Sequence, residues 1–185
     1  MRWRNSQQDF GGIARAAHWA SALFVLFAWL LGTFRGYFPR GEARDDSVAI
    51  HMALGLGVLT LVVFRLIWRA LDPPPPAIVN ARFDPWLGLA AKAGHGLLYA
   101  LLIVTPILGI VLQFSRGLPL PVFGIFSIPT PWAFDRDFFS EIIGWHQLAA
   151  NTLGVVAILH ATAALIHHWL LRDRTLARMA PGLAR

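Results

Sequence analysis

Two histidines, His146 and His160, lie 14 residues apart inside the longest charge-free stretch of the chain, Ile142–Leu171. At 100° per residue, 14 steps return to within about 40° of one helix face, about 21 Å further along the axis. Imidazole is the commonest side-chain metal ligand. Two imidazoles on one face at that separation suit two centres stacked along a helix, not one shared centre. The chemistry that fits is a pair of haems, one above the other, each needing a second imidazole from another helix.

That arrangement needs a membrane and more helices, and the composition supplies both. The chain has 185 residues, 56% hydrophobic and 14% charged, where a soluble domain carries about a quarter charged residues. Charge-free windows run Ala16–Phe34, Ser47–Phe64, Ala93–Ser115 and Ile142–Leu171, with lengths of 19, 18, 23 and 30 residues. About 20 residues span the hydrocarbon core. The windows are apolar nearly all round, whereas helices of a soluble bundle keep a polar face. The expected fold is therefore an all-α integral membrane bundle of four transmembrane helices in a single domain, with two b haems stacked across the bilayer. The first window exceeds the apolar core of a cleaved signal, and the bulky, basic segment Thr33–Phe38 that follows offers no small-residue cleavage site, so it reads as a retained helix.

Charge and cysteine content narrow the chemistry. The absence of cysteine excludes disulfides, iron–sulfur clusters, thiolate-ligated haem and covalent Cys-x-x-Cys-His attachment, so any haem is non-covalent and held by histidine. The net charge of +6 reads as topology. With the N-terminus inside, 3 Lys/Arg precede helix 1, 4 flank the connection between helices 2 and 3, and 4 follow helix 4, against 5 outside (Arg35, Arg40, Arg44, Arg116, Arg136). The positive-inside rule then places both termini in the cytoplasm, and the inner basic rim favours anionic membrane lipid. Nucleic-acid binding is excluded, because no soluble surface interleaves these charges with aromatics.

In chain order, residues 1–15 form a basic interfacial lead-in. Helices are expected at about 15–36, 47–70, 87–114 and 139–171, with Asp46 or Ser47 capping the second and Pro106 kinking the third. The run Pro73-Pro74-Pro75-Pro76 is a stiff extended stop. The outer loop 115–138, rich in Pro and aromatics, is expected to fold over the outer mouth, and helix 4 to protrude inward.

Topology then assigns a depth to each histidine. His51 and His146 begin helices 2 and 4 at the outer side and form the only outer pair. His18 and His95 begin helices 1 and 3 at the inner side. His160, about 21 Å inward of His146, is a better inner ligand than His167, about 31 Å away; its partner is His18 or His95, and spacing does not choose. A zinc site needs three or four converging ligands, and the outer side offers two. Ionisable residues within membranes are functional by default. Steps of 14 from His18 and His51 reach Gly32, where a missing side chain admits a porphyrin, and Arg65, which can pair with an inner propionate or snorkel to the interface. Gly55 and Gly154 are further candidates for haem clearance or simple packing.

These residues carry a resemblance. His18-Trp19, Phe34-Arg35-Gly36-Tyr37-Phe38-Pro39-Arg40, Ile50-His51, Val63-Phe64-Arg65-Leu66 and Gly94-His95 match motifs of the bacterial cytochrome b561 family. So do Arg116-Gly117 with Phe123-Gly124, Trp145-His146-Gln147, Leu159-His160-Ala161 and His167-His168. The chain is similar to that family nearly end to end, and most to its branch of small di-haem superoxide:ubiquinone oxidoreductases (superoxide oxidases). The resemblance implies His18 and His160 on an inner haem b, His51 and His146 on an outer haem b, and ubiquinone near His95, His167 and Arg65. It further implies that superoxide is oxidised to dioxygen at the periplasmic side of a bacterial inner membrane, with electrons passing through both haems to ubiquinone. His95 and His167 would serve as proton donors to the quinone. The outer loops are not broadly positive, since the five Arg face Glu42, Asp45, Asp46, Asp135, Asp137 and Glu141. Attraction of superoxide is therefore expected to be local, at Arg35 and Arg116, which flank the outer mouth. The competing function is a cytochrome b subunit passing electrons between the quinone pool and a separate dehydrogenase or hydrogenase partner protein. A third, a colourless histidine-lined proton path, is disfavoured by the lack of Asp or Glu within the four windows.

Overall fold

The computed structural model describes residues 2–78, 86–180 and 182. Arg82 and Arg185, both counted in the topology argument, lie outside the described residues. Four helices dominate: α1 (Gly12–Phe34), α2 (Glu42–Leu71), α3 (Trp86–Ser115) and α4 (Arg136–Trp169), followed by the short α5 (Thr175–Met179). All four long helices are apolar and long enough to cross a membrane. With the family assignment below, the chain is a multi-pass membrane protein.

The helices begin earlier than charge-free windows suggest, because charge is tolerated in a first turn. α2 starts at Glu42, capped by Gly41 at φ 101°, not by Asp46 or Ser47. Glu42 and Asp45 sit in that first turn, where negative charge meets the positive end of the helix dipole. Ser47 is instead buried inside the helix, its hydroxyl donating to the Arg44 carbonyl at 2.8 Å. Asp135 caps α4, accepting from the backbone N–H groups of Asp137 and Phe138. α3 continues through Pro106 to Ser115.

α1 packs most extensively on α2, and α3 on α4, with α2 against α3 and α1 against α4 closing the bundle. Val58, Val62, Leu102 and Leu153 form the buried core, with Phe24, Leu98 and Tyr99 packed around it. Gly57 permits the close α1–α2 approach, since a Cβ there would meet the Phe24 ring at 2.5 Å. Large apolar side chains such as Leu26, Phe27, Ile67, Val155 and Ile158 face outward, as expected where the surroundings are lipid and not water.

The connections differ from the expected picture in two places. The loop between α3 and α4 contains a small antiparallel hairpin, β1 (Leu120–Val122) with β2 (Phe126–Ile128), turned by Phe123 at φ 51° and Gly124 at φ 72°. β1 packs against α2 and α3, with Leu120 buried. Helix 4 ends at Trp169, two residues short of the expected end, and the chain folds back, with Arg172 at φ 54°. The return is held by Trp19 Nε1 donating to the Met179 carbonyl at 3.0 Å and by Arg174 paired with Asp9 at 3.1 Å.

Candidate functional site

At the end of the bundle opposite the termini, α2 presents His51 and α4 presents His146. Their ring centroids are 6.1 Å apart. That is close to the separation of two imidazoles sharing one metal, each with a nitrogen about 2.0–2.1 Å from the ion, the distance typical of zinc–imidazole bonds. Both rings are oriented identically from behind. His51 Nδ1 donates to the Ala28 carbonyl at 2.8 Å, and His146 Nδ1 donates to the Thr105 carbonyl at 3.1 Å. A carbonyl accepts only from a protonated nitrogen, so both Nε2 atoms keep free lone pairs, the usual preparation of a ligand histidine.

Two glycines make room for these rings. A Cβ at Gly32 would meet His51 Cε1 at 3.1 Å, and one at Gly109 would meet His146 Cε1 at 3.2 Å. A cavity of about 520 Å³ surrounds the pair, within the usual range for cofactor sites. Its walls are mainly apolar, and Arg35, Arg116, Gln113 and Gln147 supply polar groups. Arg116 Nη1 donates to Gln113 Oε1 at 3.3 Å. Facing imidazoles, backbone-tied Nδ1 atoms and a glycine-cleared apolar cavity fit a haem held by His51 and His146.

The other histidines gather at the terminus-bearing end. His18 and His160 have centroids 6.2 Å apart, matching the first pair, and His95 lies 5.2 Å from His160. Arg65 sits beside them, donating from Nη2 to His18 Nδ1 at 3.5 Å and lying 5.4 Å over the Tyr99 ring. Among the described residues, no backbone carbonyl anchors the His18 Nδ1 as Ala28 and Thr105 anchor the first pair; its neighbour there is the Arg65 guanidinium. His167 is not drawn to His95 or His160. Its Nδ1 meets the Asp173 carboxylate beside Thr175, in the turn after α4.

Gly55 lines the outer cavity, whereas Gly154 packs on the Trp29 indole at 3.4 Å and is a packing glycine. Gly109 and Gln113 were not singled out from sequence, and Gln147 figured there only within the Trp145-His146-Gln147 motif. Gly109 had a legible signal, because it stands 14 residues beyond His95 exactly as Gly32 stands 14 beyond His18. Gln113 had one as well, since it stands 18 residues, five full turns, beyond His95.

The profile of the prokaryotic cytochrome b561 family matches residues 9–182. The chain belongs to that family. It is 33% identical to cytochrome b561 homolog 2 of Escherichia coli, over 97% of this chain and 95% of the relative. It is 34% identical to the probable superoxide oxidase CybB of Yersinia pestis, over 89% and 91%. Cytochrome b562 of Cereibacter sphaeroides is 30% identical over 88% and 89%. Membership makes this chain a membrane cytochrome of electron transport, with b-type haem as the family's cofactor.

Proposed function

We propose that this cytochrome b561 is a superoxide:ubiquinone oxidoreductase of the bacterial inner membrane. It would take electrons from superoxide at the Arg35/Arg116 end and deliver them to ubiquinone at the end carrying His95 and Arg65. Two haem b groups, held by His51 with His146 and by His18 with His160, would supply one-electron transfer between the two ends. Two superoxide anions, ubiquinone and two protons give two dioxygen and one ubiquinol.

The carrying observation is the outer cavity. Two ligand-ready imidazoles stand under an opening where Arg35 and Arg116 line the wall, so the positive groups are where a small anion would approach. Gln113 holds Arg116 at that wall. The similarity to a probable superoxide oxidase over most of both chains supports the same reading. At the far end, Arg65 and His95 are available to bind and protonate a quinone oxygen. His167, engaged by Asp173, is less available for that role.

The deciding measurement is the visible spectrum of oxidised holoprotein during a superoxide pulse, with and without superoxide dismutase. Fast reduction of the b-type band, abolished by dismutase, is expected. Haem that responds to dithionite and ignores superoxide would overturn this reading in favour of an electron carrier for a separate dehydrogenase. His51→Ala and His18→Ala should each lower the haem-to-protein ratio by half; an unchanged ratio removes that residue from the ligand set.

A further inference from the structure

A second cavity, of about 610 Å³, lies at the terminus-bearing end, and among the described residues no histidine lines it. Its walls include Arg2, Arg4, Arg15 and Arg174, with Asp9 as the one carboxylate. Asp9 is already taken by Arg174 at 3.1 Å, and Arg4 pairs with Asp72 at 3.3 Å. Arg15 Nε is shut off from solvent and has no hydrogen-bond partner. Four arginines share that wall with one carboxylate already paired, an excess of positive charge that suits an anionic acceptor.

The cavity is built, not a chance gathering of surface arginines. Its wall, the segment before α1, is clamped to the end of α2. Asn5 donates from its backbone to Asp72 Oδ2 at 2.8 Å and from Nδ2 to the Asp72 carbonyl at 2.8 Å. Asn5 Oδ1 in turn accepts from Gly11 N at 2.8 Å. The segment then closes on the start of α1 through Gly12 N to the Arg2 carbonyl at 2.9 Å. Only glycine allows this closure, because a Cβ on Gly11 would meet the Trp3 carbonyl oxygen at 2.3 Å.

Its level along the bundle indicates the anion. The cavity sits where α1 begins and just beyond the end of α4, and two exposed indoles belong to that level, Trp3 in sequence between the wall residues Arg2 and Arg4 and Trp169 as the last residue of α4. Indoles favour the headgroup level of a bilayer, and basic pockets at that level take lipid phosphates. Phe10 adds an apolar wall next to the arginines. We propose that this cavity binds the phosphate headgroup of one anionic phospholipid, with Arg15 and Arg2 as the principal phosphate contacts.

The test is native mass spectrometry of the full-length holoprotein in mild detergent, titrated with phosphatidylglycerol or phosphatidylcholine of the same acyl chains. One phosphatidylglycerol per chain should bind in preference to phosphatidylcholine, and Arg15→Gln or Arg2→Gln should weaken that binding about tenfold, near 1.4 kcal/mol. Arg40→Gln, in the loop between α1 and α2, should bind as the unaltered protein does. An intact haem spectrum certifies each variant, and Arg2→Gln, outside the helices, stands if Arg15→Gln fails to fold. Equal retention of the two lipids, or unchanged phosphatidylglycerol binding in both variants, overturns the proposal. Full displacement of the lipid by inorganic phosphate overturns the lipid as the source and assigns the cavity to a soluble phosphate.

Discussion

At the scale of single residues, the outer site is defined by what the histidines hold behind them and what the glycines leave open. His51 and His146 spend their Nδ1 protons on the carbonyls of Ala28 and Thr105, which leaves each Nε2 pointing a lone pair away from those anchors. Gly32 and Gly109 press against the two rings at just over 3 Å. On the proposed two-haem reading, Gly109→Leu should therefore displace His146 and remove the haem it would hold while leaving the other, read as half the haem content per chain. Retention of full haem content would show that the His146 ring does not depend on that clearance. Arg35 and Arg116 carry no structural duty as large, so their loss should act on rate. The double variant Arg35→Ala/Arg116→Ala should slow haem reduction by superoxide by about tenfold at low salt and flatten its salt dependence. An unchanged rate and slope would remove both from the path of the anion.

At the scale of elements, helix ends and close helix contacts decide where the site residues stand. The α1–α2 pair depends on Gly57 lying against Phe24. Gly57→Ala should force that ring aside at a cost of about 1–3 kcal/mol, lowering the temperature at which the haem band is lost in detergent. The turn after α4 depends on Asp173, whose carboxylate accepts from Thr175 N at 2.8 Å and engages His167. Burial alone would raise this carboxyl, but the hydrogen bonds from Thr175 and His167 outweigh it and hold it below the ordinary value of 3.8. A depressed folded-state value means that the ionised carboxylate stabilises the turn at all pH above that ordinary value. The contribution fades only as pH falls through the lower folded value. Amide exchange at Thr175, corrected for its intrinsic pH dependence, should stay slow from neutrality down to about pH 4 and rise below that. In Asp173→Asn it should be fast throughout; matching profiles would show that the carboxylate does not hold the turn.

At the scale of the whole molecule, an apolar layer divides two histidine layers. Val58, Val62, Leu102 and Leu153 lie in the middle of the bundle, with His51 and His146 towards one end and His18, His95 and His160 towards the other. The contacts of His18 with Arg65 and of His95 with His160 bring the start of α1, the end of α2, the start of α3 and the end of α4 to one end. Both chain ends share that end, tied by Arg174 with Asp9 and Trp19 with Met179. The distribution of Lys and Arg predicts that it faces the cytoplasm. A fluorescent protein fused to the C-terminus should therefore fold and fluoresce, and an alkaline phosphatase fusion should stay inactive; the reverse pattern would invert the orientation.

Four helices, their approximate spans and the two histidine layers were legible in the chain alone, because hydrocarbon imposes length and the helix imposes period. Charge-free runs of about 20 residues have few other solutions, and 14 residues return a side chain to nearly the same face. Helix starts were misplaced by several residues at α2 and α4, since Glu42 and Asp137 break a hydropathy window yet suit a first turn. The short hairpin at Leu120–Ile128 and the return after Trp169 depend on non-glycine residues at positive φ, Phe123 and Arg172, which no composition signal announces. Only tertiary structure tied the Nδ1 atoms of His51 and His146 to carbonyls of neighbouring helices, set Gly109 against His146 and drew His167 away to Asp173. Those outcomes depend on how helices pack across the bundle, and a periodicity within one helix carries no information about its neighbour's backbone.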